Sequence, residues 1–160
     1  MMLTIVIFGL LLSGSVAWFT DNKVIVGIKF KAKWLSLFSV LVIGSYFLLS
    51  IFSHAQSSVQ NFRQLQLFER VPWISSLNID YALALDQLSI TLIVLTFFLA
   101  VICVLVSWQE IQEKAGFYYF NLLATFAGII GVFSAVDMFL FFFFWEVMLI
   151  PMTAIIAIWG

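Results

Sequence analysis

The chain has 160 residues, of which 64% are hydrophobic and only 9% charged, with a formal net charge of −1 and a mean hydropathy of +1.17. Soluble domains carry about a quarter charged residues, so the composition excludes that class and marks an integral membrane protein. The balanced charge argues against a nucleic-acid partner, and the single cysteine, Cys103, rules out a disulfide within the chain.

A helix crosses a bilayer with about 20 apolar residues. Five runs of that kind occur, over about residues 2–19, 34–53, 88–108, 116–136 and 138–159. The expected fold is therefore all-α, a single membrane domain over residues 1–160 with five transmembrane helices and a long outer loop over about 54–87. Ser15, Val16 and Ala17 at the end of the first run resemble a secretion cleavage site. However, no Lys or Arg precedes the run, and Lys23, Lys29, Lys31 and Lys33 follow it, the reverse of a signal peptide. The run is read as a span.

Those four lysines and Lys114 fall in the loops after the first and third runs, whereas the loop after the second run holds only Arg63 and Arg70. Short cytoplasmic loops carry the excess of Lys and Arg, so the N-terminus is expected outside and the Gly160 end in the cytoplasm. His54 closes the second run with no second His or Cys nearby, and reads as an interfacial residue rather than a metal ligand. In the outer loop, Val59, Phe62, Leu65 and Phe68 suggest a short amphipathic helix before Pro72. Leu77, Ile79, Tyr81, Leu83 and Leu85 then alternate with smaller or polar residues, the pattern of a short strand. Trp73 and Tyr81 suit the membrane–water boundary.

Asp86 and Asp137 each stand immediately before an apolar run, where a carboxylate can accept from a free backbone amide and meet the positive end of the helix dipole. Capping is the plain reading, and an outer proton-exit group is the alternative. Cys103, inside the third run, reads as packing. In the fourth run Asn121, Ala124, Gly128, Gly131 and Ala135 recur at spacings of three and four, so they share one helical face. Small residues let helix backbones approach closely in lipid, and Asn121 could bond across such a contact.

The fifth run contains the one charge deep inside a span, Glu146, within Phe141-Phe142-Phe143-Phe144-Trp145-Glu146-Val147-Met148. Asp or Lys at a helix centre costs roughly 2.5–3.5 kcal/mol, while each Phe or Leu returns about 0.3–0.6. Its neighbours can carry Glu146 into the membrane without explaining it. Eight residues at about 1.5 Å each put it roughly 12 Å inside, near mid-membrane. Ionisable residues there mark ion or proton pathways more often than structural hydrogen bonds. Pro151 lacks an amide hydrogen and so frees the carbonyl of Val147, adding a kink and an acceptor beside the carboxylate.

The run from Asp137 through Phe144-Trp145-Glu146 to Pro151-Met152, closing with Ile158-Trp159-Gly160, resembles subunit M of bacterial NADH:quinone oxidoreductase, respiratory complex I, the counterpart of chain 4 of the mitochondrial enzyme. Leu85-Asp86-Gln87-Leu88-Ser89 and Ser107-Trp108-Gln109-Glu110-Ile111 are similar to that family too, and the resemblance extends over essentially the whole chain. It implies a proton-translocating membrane subunit of the bacterial cell membrane that binds no cofactor itself. NADH, FMN, iron–sulfur clusters and quinone are then held by other subunits of the complex. The family glutamate matching Glu146 pairs with a lysine on a later helix. The implied partners are the other membrane subunits, the bilayer, and the missing C-terminal portion of this subunit.

Gln87 stands where the family commonly has Gly, and Thr153-Ala154 where it has Tyr-Phe. The chain also stops after the fifth span, whereas the family has fourteen. No Lys lies inside a span, so Glu146 has no cationic partner within the chain, which alone is expected to move no protons. Two other readings stay open: part of an Mrp-type cation/proton antiporter or membrane-bound hydrogenase, and a structural membrane fragment without activity.

Overall fold

Each apolar run becomes a helix in the computed structural model: α1 (Met2–Thr20), α2 (Ala32–Ser57), α3 (Gln87–Glu110), α4 (Ala115–Ser134) and α5 (Met138–Trp159). Among the described residues, four short strands lie between them, β1 (Val24–Ile25), β2 (Ile28–Lys29), β3 (Leu67–Ile74) and β4 (Ile79–Leu85). The structure describes residues 1–20, 24–25, 28–29, 32–57, 67–74, 79–111 and 113–160. All five helices are long and apolar enough to cross a membrane, so the expected helical membrane fold is borne out as a multi-pass bundle.

The small-residue face of α4 explains its central position. Some 67% of the α4 span is buried inside the protein, against 17% for α5, because α4 packs on each of the other four helices. A Cβ at Gly128 would lie 2.6 Å from Cβ of Met148, and one at Gly131 would collide with the Phe144 ring. Glycine at these two positions is what lets α5 approach. On another side of α4, Gly14 of α1 sits against Phe120 and Leu123. Asn121 is buried, and its amide donates to the Phe117 carbonyl of its own helix at 2.7 Å rather than across to a neighbour.

β3 and β4 form an antiparallel hairpin, with Leu67 opposite Leu85 and an irregularity between Pro72 and Ile74. β4 matches the strand expected from alternation, but the helix expected before Pro72 is corrected. Phe68 lies in β3, opposite Ala84, and Val59, Phe62 and Leu65 fall outside the described residues. A spacing of three reads as helical in isolation, yet here backbone pairing to β4 satisfies the amides instead. Pro72, which cannot donate to a ladder, sits in the edge strand where it is tolerated. α2 also runs to Ser57, beyond the expected end of the second span. The side chain of His54 is outside what is described.

A lone two-stranded hairpin is marginal in water, and this one is held by the bundle. The amide of Val136 donates to Ala82 at 3.0 Å, extending β4 onto the α4–α5 connection. Trp73 meets Phe139 and Phe143 of α5 edge-on. Glu69 reaches the start of α1: its Oε1 accepts from the Leu3 amide at 2.9 Å, and its Oε2 accepts from the Thr4 hydroxyl at 2.7 Å and the Thr4 amide at 3.3 Å. The Met1 ammonium lies 2.6 Å from Oε1. The start of α1, the hairpin and the α4–α5 connection therefore share one end of the bundle. Aromatic contacts among Trp18, Phe117, Tyr118 and Trp159 gather at the other.

Candidate functional site

Leu140, Phe144 and Pro151 are the buried residues of α5, and Phe144 and Met148 are the two that meet the α4 glycines. Their spacings of four and three define the face turned to α4. Glu146 lies two residues beyond Phe144, about 200° around a helix of 3.6 residues per turn, and is exposed on the outside of the bundle. Among the described residues it makes no hydrogen bond or ion pair. Phe142, Leu149 and Ile150 are exposed on the same side, so the carboxylate stands alone on an apolar helix face. Pro151 is buried beneath it on the α4 side.

The other residues singled out by sequence do not join Glu146. Asp137 caps α5, its Oδ1 accepting from the amides of Phe139 at 2.8 Å and Leu140 at 3.3 Å. Asp86 caps α3, with Oδ1 accepting from the Ser89 amide at 2.6 Å. The Ser89 hydroxyl, and after it the Ser89 amide, hold the Asp86 carboxyl below its ordinary value. Both caps lie at the hairpin end, about 13–14 Å of helix from Glu146 in the case of Asp137. Asn121, Gly128 and Gly131 serve α4 packing. Cys103 is half-buried with a free thiol. No cluster of three His, Cys, Asp or Glu able to hold a metal occurs among the described residues.

Sequence reasoning missed Glu69, whose carboxylate is the buried polar group tying hairpin to helix. Burial alone would raise its pKa, but the Met1 ammonium, the Thr4 hydroxyl and the two amides outweigh that and hold it below the ordinary carboxylate value. The contact spans 66 positions in the chain, and nothing in the local pattern of β3 announces it. Beside it, burial pushes the Tyr81 phenol up.

No family model matches the chain. Curated relatives do. NADH-quinone oxidoreductase subunit M of Pseudomonas aeruginosa is 54% identical over 91 residues, covering 57% of this chain and 18% of that protein. The subunit M of Escherichia coli is 53% identical over 90 residues, 56% of this chain and 18% of the relative. NAD(P)H-quinone oxidoreductase chain 4 of the Mesostigma viride chloroplast is 45% identical over 96 residues, 60% of this chain and 19% of its own length. The resemblance to subunit M and chain 4 is thus borne out, over somewhat more than half of the chain rather than nearly all of it. The chain spans about a fifth of the length of these relatives. Among solved structures, a chain of the membrane-bound sulfane sulfur reductase, an archaeal respiratory membrane complex, matches all of this chain and 23% of its own, with a TM-score of 0.77 at 18% identity. That likeness establishes the fold.

Proposed function

We propose that this chain forms the N-terminal part of a proton-translocating, non-redox membrane subunit of NADH:quinone oxidoreductase, with Glu146 as its proton-handling group. The observation that carries the reading is the solitary carboxylate on the outer face of α5, in a chain more than half of which is about 53% identical to subunit M proteins. A carboxylate stranded in lipid is costly, so this face calls for a partner beyond the five helices, supplied by the remaining part of the subunit. Unit charges about 4 Å apart interact at roughly 4 kcal/mol with an effective dielectric near 20. A cation that approaches or leaves Glu146 can therefore shift a proton between neighbouring sites, the coupling the function needs. Asp86 and Asp137 act as caps in this reading, and Pro151 shapes the helix beside the carboxylate.

NADH, FMN, iron–sulfur clusters and quinone belong to other subunits in this proposal, and the chain lies in the bacterial cell membrane with its N-terminus outside. The distribution of Lys23, Lys29, Lys31, Lys33 and Lys114 supports that orientation. An affinity tag on the chain, with purification from native membranes in mild detergent, tests the assignment. Co-recovery of the other membrane subunits of the quinone oxidoreductase is expected. Recovery of antiporter or hydrogenase subunits, or of the chain alone, contradicts it.

A further inference from the structure

At the end of the bundle opposite the hairpin, Trp34 of α2 meets Trp108 of α3 edge-on, with ring centroids 4.8 Å apart. Lys33 holds its ammonium 5.0 Å above the Trp108 ring. Trp34 is 60% exposed, and among the described residues neither indole N–H of the pair donates a hydrogen bond. Two indole rings and an ammonium therefore gather at one end of the bundle. Lys23, Lys29 and Lys31 precede Lys33 in the same connection, whose sole acid is Asp21. Glu110, exposed two residues beyond Trp108, is the nearby opposing charge in sequence and forms no ion pair among the described residues.

A cavity of about 320 Å³ runs between α2 and α3 farther along the bundle, and its lining shares the helical phase of this pair. Trp34, Leu41, Ser45 and Leu48 follow one another at helical spacing on α2, and Trp108, Val101, Phe97 and Val94 do the same on α3. The second to fourth residue of each series lines the cavity. The two tryptophans thus stand on the same helix faces as the cavity, about two turns (~10 Å) beyond its lining toward the lysine-bearing end. Gly44 widens this apolar groove by bringing only hydrogen toward the Phe97 ring, and the Ser45 hydroxyl is spent on the Val42 carbonyl of its own helix at 2.8 Å. Along α2, Val40 lies about 10 Å and Leu48 about 22 Å from Lys33. A leaflet offers roughly 5–8 Å of headgroup layer and 15 Å of hydrocarbon, so the groove covers one leaflet and ends near mid-membrane.

We propose that this α2–α3 groove binds one anionic phospholipid from the leaflet on the lysine-bearing side. The phosphate is held by Lys33 and the indole N–H groups of Trp34 and Trp108, and one acyl chain lies along the cavity. Charge complementarity selects the occupant: the polar end offers donors and positive charge, while the rest is apolar and one leaflet deep. A second helix would satisfy the apolar part but leave the three donors unused.

Native mass spectrometry of the purified chain, with phosphatidylglycerol or phosphatidylcholine of identical acyl chains, tests this. The wild type is expected to retain one phosphatidylglycerol in preference to phosphatidylcholine. Lys33→Gln should lower that retention about five-fold, whereas Lys114→Gln, which removes an exposed charge at the same end, leaves it unchanged. Ser45→Phe fills the groove without altering any charge and should lower retention as well, with circular dichroism checking that each variant keeps its helices. Equal retention of the two lipids, an equal effect of the two lysine variants, undiminished binding in Ser45→Phe, or a dimer in place of bound lipid would each overturn the proposal.

Discussion

Two carboxylates illustrate how differently a single residue can be read. Glu146 is legible in the sequence because its cost is local: every neighbour is apolar, so the charge stands out without any structure. Glu69 is not legible, because its value depends on a helix start brought from 66 positions away. Once there, it accepts from the Leu3 and Thr4 amides and faces the Met1 ammonium, doing for α1 what an N-cap residue does. Because its folded pKa is held below the ordinary 4.5, its contribution is fully present above that value and is lost as pH falls through the lower folded value. Thermal unfolding in detergent between pH 7 and pH 3 should therefore show a loss of stability at the acid end that Glu69→Gln abolishes. At pH 7 the variant should be less stable by about 1 kcal/mol, as for loss of a cap. An acid limb unchanged in the variant would show that other groups produce it.

The helices were legible as elements because a bilayer imposes length and polarity together, leaving five runs and few alternatives. β4 was legible from its period of two. β3 was not, since Glu69, Arg70 and Pro72 break any strand pattern and its pairing with β4, including the Arg70–Asp80 ion pair, exists only across the hairpin. The stripe on α4 announced close packing without naming its partner. The structure supplies α5 at Gly128 and Gly131, and places α1 on another side. Gly128→Ala forces its Cβ within 2.6 Å of Cβ of Met148, with the Met148 Cα at 3.3 Å, contacts a rotamer change cannot relieve. It should lower stability by about 1–3 kcal/mol. Gly14→Ala, whose Cβ would meet its nearest neighbours at 3.4 Å, should be nearly neutral. A reversed order in thermal unfolding of the two variants would remove α4–α5 approach as the reason for glycine at 128.

For the whole molecule, five crossings put the start of α1, the hairpin and the α4–α5 connection at one end, and the lysine-bearing connections at the other. With the positive end inside, cysteine at exposed Lys114 should react with an impermeant maleimide in inverted vesicles and not in intact cells, while Arg70→Cys in the hairpin should show the opposite. The swapped pattern would reverse the proposed orientation, and the same labelling at both positions would contradict their lying on opposite sides. What no pattern in 160 residues could supply is the partner of Glu146, because α5 turns that residue away from every helix present. The most direct test is therefore made in the assembled quinone oxidoreductase, by measuring NADH-driven proton uptake and quinone reduction together in membrane vesicles carrying Glu146→Gln or Glu146→Asp. Loss of both activities in parallel in the Gln variant, with part of both retained in the Asp variant, is the expected result. Wild-type turnover and pumping with glutamine at position 146 would contradict a proton-handling role for this carboxylate.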